Sequence, residues 1–298
     1  MIRHGIALCA FTLALPVAAQ RDWSKVEIKT TKLGETTYMM EGAGGNLGLS
    51  IGEDAVFVID DQFAPLSEKI SAAISKLTAK PVRFILNTHW HFDHTGGNEN
   101  FGKAGAIIVA HENVRNRMGA EQFDDFFKRK TPPSPKGALP VVTFAGSVTL
   151  HLNGDEMRVL HVPRAHTDGD AMVHFVRSDV IHTGDVYWSD QYPFIDTSSG
   201  GTIQGTIAGC DRALAIAKDS TRIIPGHGPL SNKAELKVYR DMLATVADRI
   251  GKLVADGRTT EEIVAAKPTA DFDGKWATGF LKSDTFVQMV AHNILKNR

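Results

Sequence analysis

Cysteine is nearly absent: the 298-residue chain holds 2, Cys9 and Cys210. Cys9 falls in the N-terminal leader described below, so Cys210 stands alone in the mature chain and no intramolecular disulfide can form. A disulfide-stapled scaffold is excluded, and stability has to come from the core. Cys210 itself sits with Ala208 and Leu214 in an expected helix and reads as a small buried apolar residue. An excess of charge of one sign is missing too. With a net charge of -1 and no Lys/Arg run interleaved with aromatics, nothing points to nucleic acid or an anionic membrane surface. The apolar run from Ile6 to Val17 is too short to span a bilayer comfortably. Arg3 and His4 precede it and the small residues of Val17-Ala18-Ala19 close it, the pattern of a cleavable export signal over residues 1–19. Leu8 is too large for the position before a lipidated cysteine, which counts against a lipoprotein. A mature chain from Gln20, in the periplasm or secreted and without stable membrane insertion, is expected.

What is present is an ordinary globular composition, 43% apolar, with length for one large domain or two small ones. Residues 26–30, 36–40, 47–51 and 55–59 read as a meander of strands. Helical spacing over 67–77, followed by a strand at 82–86, gives a βαβ rhythm. A strand at 107–110 and a helix at 121–128 follow. Lys130-Thr131-Pro132-Pro133-Ser134-Pro135-Lys136 marks a connector, so two halves of one domain (20–298) are expected to meet near 130–140. Beyond it, strands at 141–144, 148–152, 157–162, 171–176 and 180–182 form a second sheet, with helices at 203–217 and 234–255. A C-terminal helical extension over about 258–298 contains helices at 260–265 and 276–295. It packs on the domain, contacts a second copy, or walls the site.

Chemistry concentrates in His89-Trp90-His91-Phe92-Asp93-His94, where four metal-capable side chains fall in six residues at the end of an expected strand. His89 and His91 alternate and can point one way, while Asp93 and His94 turn towards a second position. Imidazole with carboxylate suits zinc and its first-row neighbours. Gly96-Gly97 follows and permits the tight backbone of a multidentate loop. Three further groups each close a strand: His166 after 157–162, Asp185 in Ile181-His182-Thr183-Gly184-Asp185, and His227 between Gly226 and Gly228.

The succession HxHxDH, His, Gly-Asp and Gly-His-Gly, over about Thr37 to Pro229, resembles the metallo-β-lactamase superfamily. The resemblance implies an α/β fold, a four-layer αββα sandwich of two mixed sheets packed face to face with helices outside. It implies two metal sites, His89, His91 and His166 holding one ion, Asp93, His94 and His227 the other, with Asp185 bridging. Two zinc ions are expected, although iron and manganese also accept such ligands. Asp60 matches the family's aspartate that orients a ligating imidazole, and reads equally as a strand-end turn former.

Two metals about 3.5–4 Å apart can share a water and ionise it near neutral pH. The implied reaction is attack of a metal-bridged hydroxide on the carbonyl of an ester, thioester, lactone or amide of a small-molecule substrate. Asp93 would orient the hydroxide as well as ligate. Tyr187, Trp188, Tyr192 and Phe194 read either as an aromatic rim, with Tyr187 donating to the oxyanion, or as loop packing. Gly42-Ala43-Gly44-Gly45-Asn46 is either a tip that folds over the site or a plain turn. His111, His151, His161, His174, His182 and His292 lack ligand spacing and read as hydrogen-bonded scaffold. Asp168 and Asp170 read as turn and supporting groups.

Aspartate at the bridge position and the histidine at 94 resemble glyoxalase-II-like thioesterases and lactonases rather than β-lactamases. No Lys or Arg in Val186-Tyr187-Trp188-Ser189 is available to hold a β-lactam carboxylate. β-Lactam hydrolysis is therefore the alternative. A mononuclear iron persulfide dioxygenase is a further one, disfavoured by the complete second ligand set. Oligomeric state stays open.

Overall fold

The structure, a computed structural model, describes residues 21–297. The expected export signal lies outside the described residues. β1 (Lys29–Lys32), β2 (Thr37–Glu41), β3 (Leu47–Ile51) and β4 (Val56–Ile59) run as an antiparallel meander. β5 (Val82–Asn87) and β6 (Ile107–His111) continue it in parallel. A separate hairpin, β7 (Gln122–Asp124) and β8 (Arg129–Thr131), precedes β9 (Val142–Phe144), which completes a 7-stranded sheet beside β6. The second sheet is 6-stranded: β10 (Ser147–Leu152), β11 (Asp155–His161), β12 (Ala171–Phe175), β13 (Val180–His182), β14 (Arg222–Ile224) and β15 (Ser231–Asn232). It is antiparallel apart from β13 and β14, so both sheets are mixed.

Helices α1 (Ser67–Ser75), α2 (Phe92–Thr95), α3 (Asn98–Lys103) and α4 (Glu112–Met118) belong to the first half. The second half carries α5 (Ile203–Ile216), α6 (Lys233–Ala255), α7 (Thr260–Ala265), α8 (Asp273–Trp276) and α9 (Ser283–Lys296). Strand alternation sorts the layers. Val56 and Val58 pack with Ile70 and Ile74 of α1 and Phe101 of α3. Their neighbours Phe57 and Ile59 face the other way, onto Val159, Val173 and Phe175 of the second sheet. On that sheet's outer face Met172 and Ile223 meet Cys210 of α5, Tyr239 of α6 and Val290 of α9. This is the αββα sandwich. Each fully buried Phe, Ile or Val contributes roughly 1.5–3 kcal/mol. No helix among the described residues is long and apolar enough to cross a membrane.

Some elements differ from the sequence expectation. The helix expected at 121–128 is the turn of the β7–β8 hairpin. Asp124 Oδ1 accepts from the backbone of Phe126 (2.8 Å) and Phe127 (3.0 Å), and Lys128 closes the turn at φ 53°. These side-chain bonds compete with a helical ladder. The helix expected at 276–295 is broken: α8 ends at Trp276, α9 starts at Ser283, and Phe280 stands 65% exposed between them. The first strand lies at Lys29–Lys32 rather than 26–30. The chain crosses from the first sheet to the second between Phe144 and Ser147, just after the proline-rich connector.

Candidate metal centre

The ends of β4, β5, β11, β13 and β14 open onto one edge of the sandwich, and the loops after them carry every residue of interest. β5 delivers His89 to His94 by way of α2, the β11–β12 loop carries His166, and Asp185 and His227 follow β13 and β14. Close backbone approach is built in. A Cβ on Gly45 would lie 2.0 Å from the His94 ring, and one on Gly226 2.0 Å from Asp185 Oδ1. The glycine-rich tip therefore presses on the ligand loop. Gly45 N donates to Asp93 O (3.1 Å), and Asn46 Nδ2 donates to Pro225 O (2.9 Å) and Gly228 O (2.8 Å), bracketing His227. It is a clamp, where the sequence had left a lid or a plain turn.

Three groups of donors could each hold an ion: His89, His91 and His166; Asp93, His94 and His227; and His89, His94 and Asp185, with donor atoms within 4.8 Å of one another in each. His91 Nδ1 is 3.1 Å from His89 Nε2 and 2.8 Å from His166 Nε2. His227 Nε2 is 3.3 Å from both His94 Nε2 and Asp93 Oδ2. Asp185 reaches two donors of each triplet: His89 and His166 of the first, His94 and His227 of the second. Its Oδ2 lies 3.8 Å from His89, 3.5 Å from His166 and 3.4 Å from His227, and its Oδ1 lies 3.1 Å from His94.

The far side of each ring decides what faces the centre. His91 Nε2 donates to Asp196 Oδ2 at 3.0 Å, and His166 Nδ1 donates to Phe194 O at 2.7 Å. Thr88 Oγ1 gives its proton to Asp60 Oδ2 (2.7 Å) and so accepts from His89 Nδ1 (3.1 Å). Each of these rings then presents a lone pair inward. Three lone pairs meeting in a buried space repel one another unless a cation sits between them, so the donor set fits a metal. His94 Nδ1 donates to Asp60 Oδ2 at 2.8 Å, and Asp185 Oδ1 is buried without a hydrogen-bond partner. Asp60 holds the ring of His94, and at φ 60° it also turns the chain after β4, so both readings of it apply.

Protein charges alone split the imidazoles. Burial holds His89 well below the usual range and His166 down at about 4. Burial would lower His94 and His227 as well, but Asp185 and Asp93 outweigh it. His94 is held well above the ordinary value, with Asp60 adding to the effect, and His227 at about 9. Burial opposes ionisation of Asp93 and Asp185, yet the neighbouring imidazoles keep both carboxyls low.

A cleft of about 860 Å³ opens over the centre, lined by His91, Asp93, His166, Asp185 and His227 together with Trp188 and Phe194. Tyr187 is not part of it. Its hydroxyl bonds Ser231 Oγ at 2.8 Å and its ring packs on Tyr239 at 4.8 Å, so the expected oxyanion donor is a buried packing residue. Tyr192 is buried likewise, donating to Asp273 at 2.8 Å. His182 and the stacked pair His111 and His161 (3.8 Å between rings) are hydrogen-bonded scaffold. Asp168 pairs with Arg117, and Asp170 accepts from Thr167. Sequence reasoning missed Asp196 and Thr88. Asp196-Thr197-Ser198-Ser199 has the look of a plain capping turn, and Asp196 does accept from Ser199 N at 3.0 Å.

Buried histidines and aspartates gathered at one edge of an αββα sandwich define a candidate metal centre of the metallo-β-lactamase type. The chain belongs to the metallo-beta-lactamase superfamily, whose family profile matches residues 51–227. It is 24% identical over 253 residues to a linear primary-alkylsulfatase of Pseudomonas sp., covering 71% of this chain and 47% of that protein. The chain thus spans about half the length of that relative. It is 24% identical over 190 residues to a hydroxyacylglutathione hydrolase of Pelagibacter ubique, covering 59% and 68%. Its fold is similar to a metallo-beta-lactamase from Pontibacter korlensis (TM-score 0.59, 17% identity, 73% of this chain and 99% of that one). It is also similar to the sec-alkyl sulfatase PisA1 (TM-score 0.67, 18% identity, 90% and 50%).

Proposed function

We propose that the chain is an exported dinuclear hydrolase that cleaves an ester-type bond, with His89, His91 and His166 holding one ion and Asp93, His94 and His227 the other. The observation that carries this reading is the position of Asp185, whose two oxygens lie within 3.8 Å of donors in both triplets. A carboxylate so placed belongs to a paired site. Two bound zinc ions, or iron or manganese in their place, supply ionised water and polarise the scissile group.

The protein's own groups do the rest. Asp60, Asp196 and the carbonyl of Phe194 hold three imidazoles in one tautomer. Asp93 is the acidic group of the second triplet that borders the cleft, with its side chain 23% exposed. Its carboxyl stays ionised and is placed to accept a hydrogen bond from an attacking water. Buried Trp188 and half-buried Phe194 wall the cleft beside the centre and reduce the access of bulk solvent to the reacting group.

The hydroxyacylglutathione hydrolase and alkylsulfatase relatives support hydrolysis of a thioester, carboxylic ester or sulfate ester. Export rests on the pattern of residues 1–19. Elemental analysis of purified protein, joined to turnover of ester, thioester, lactone, sulfate-ester and nitrocefin substrates before and after chelation, tests the reading. About two metals per chain with chelator-sensitive turnover supports it. A metal-loaded sample inert on the whole panel refutes it, and turnover of nitrocefin alone makes the protein a β-lactamase.

A further inference from the structure

The cleft walls include residues that belong to neither triplet of proposed ligands. The β7–β8 turn places Phe127, Lys128 and Arg129 along one side, and the break between α8 and α9 places Phe280 beside them, 5.8 Å from Phe127 between ring centres. Phe63 and Phe92, 5.6 Å apart between ring centres, also line the cleft. Phe92, Phe127 and Phe280 are 46%, 39% and 65% exposed. Large apolar groups left open in one concavity mark a surface built for an apolar ligand.

The same wall carries positive charge. Arg129 stacks its guanidinium over the Phe92 ring at 5.4 Å, next to the ligand loop. Lys130 is neutralised by Glu121 at 3.0 Å, whereas Lys128 and Arg129 form no ion pair among the described residues. The acidic residues bordering the cleft are Asp93 and Asp185, both among the proposed ligands. Nor is the hairpin a loose flap. Asp125 donates its backbone N–H to Ser198 Oγ (2.8 Å) and accepts from Lys296 Nζ at its carboxylate (2.6 Å), fastening the turn to the site loop and to α9.

We propose that the substrates are anionic amphiphiles. An apolar body lies along the Phe127–Phe280 and Phe63–Phe92 pairs, and an anionic group meets Lys128 and Arg129. The proposal rests on the hydrolase reading for its reaction but not for its binding.

Two measurements test it. The first is kcat/KM for p-nitrophenyl esters of one acyl chain ending in carboxylate, methyl ester or trimethylammonium, in the metal-loaded enzyme and in a K128Q/R129Q variant. The second is calorimetric binding of decyl sulfonate against decyl trimethylammonium. A preference of about tenfold for the anionic ester, shrinking with salt and falling to about parity in the variant, is expected. Tighter binding of the sulfonate is expected alongside it. Equal treatment of the charge types in both measurements, or an anionic preference untouched by K128Q/R129Q, overturns the proposal. Selective sulfonate binding with every ester inert, and with the thioester, lactone, sulfate-ester and nitrocefin panel inert too, sinks the hydrolase reading and leaves the anionic subsite standing.

Discussion

His91 and Asp196 are joined by a 3.0 Å hydrogen bond through Nε2, which leaves Nδ1 as the ring nitrogen facing His89 and His166. One carboxylate therefore sets both the tautomer and the angle of a proposed ligand. Burial opposes ionisation of Asp196, but the bond and charge of His91 keep its carboxyl down at about 2. It remains a full acceptor across the working pH range. D196A is expected to weaken the first metal by about 10–100-fold, measured by competition with a chromogenic chelator. An unchanged affinity would show that the ring is held by packing alone.

Gly45 offers a way to separate the two ions. A methyl group there falls 2.0 Å from the His94 ring, so G45A should displace that imidazole. Metal content is expected to drop from about two ions to about one, with loss of turnover, while the triplet around His91 keeps its ion. Full occupancy in G45A would mean that the hairpin tip yields instead.

The charge split between imidazoles makes stability depend on pH once metal is removed. His227, raised to about 9 by Asp185 and Asp93 against the effect of burial, contributes ion-pair stability to the chelated protein. That contribution is full below the unfolded value and is lost as pH rises through about 9. The chelated protein should melt at a lower temperature near pH 10 than near pH 6.5. Metal-loaded protein should lack that step, because ligation has already removed the proton. Matching melting profiles for the two forms would contradict the assignment.

Tyr187 supplies the control. Y187F removes a hydrogen bond to Ser231, which keeps its bond to Glu235 at 2.7 Å. A loss of about 0.5–1.5 kcal/mol in stability is expected, with kcat within about twofold of the parent. A hundredfold fall in kcat would restore the oxyanion role.

The ligand cluster was legible because its information is local. His89, His91, Asp93 and His94 lie within one turn after a strand, and His166, Asp185 and His227 each follow a short apolar run. Asp196 was hidden because it is not local, standing 105 residues from His91, whereas Thr88 adjoins His89 and was hidden because its role depends on the proton it gives to Asp60. Tyr187 misled for a related reason. It is two residues from Asp185, but Gly184 at φ 52° and the tight turn over Gly184–Val186 aim it towards Ser231. The stretch 121–128 misled through its composition, since the Asp124 side chain outcompetes the helix it resembles.

The two sheets share the centre unequally. The first half of the chain brings two donors to each triplet, His89 with His91 and Asp93 with His94, and the second half brings one, His166 or His227. Asp185 spans the join. Two donors bind a divalent ion weakly and one hardly at all, so each proposed ion would act as a rivet that closes only when both halves are seated. Metal retention then reports docking of the halves. If the chain were cut in the proline-rich stretch near Pro133, the fragments would be expected to reassemble more tightly in the presence of zinc than without it.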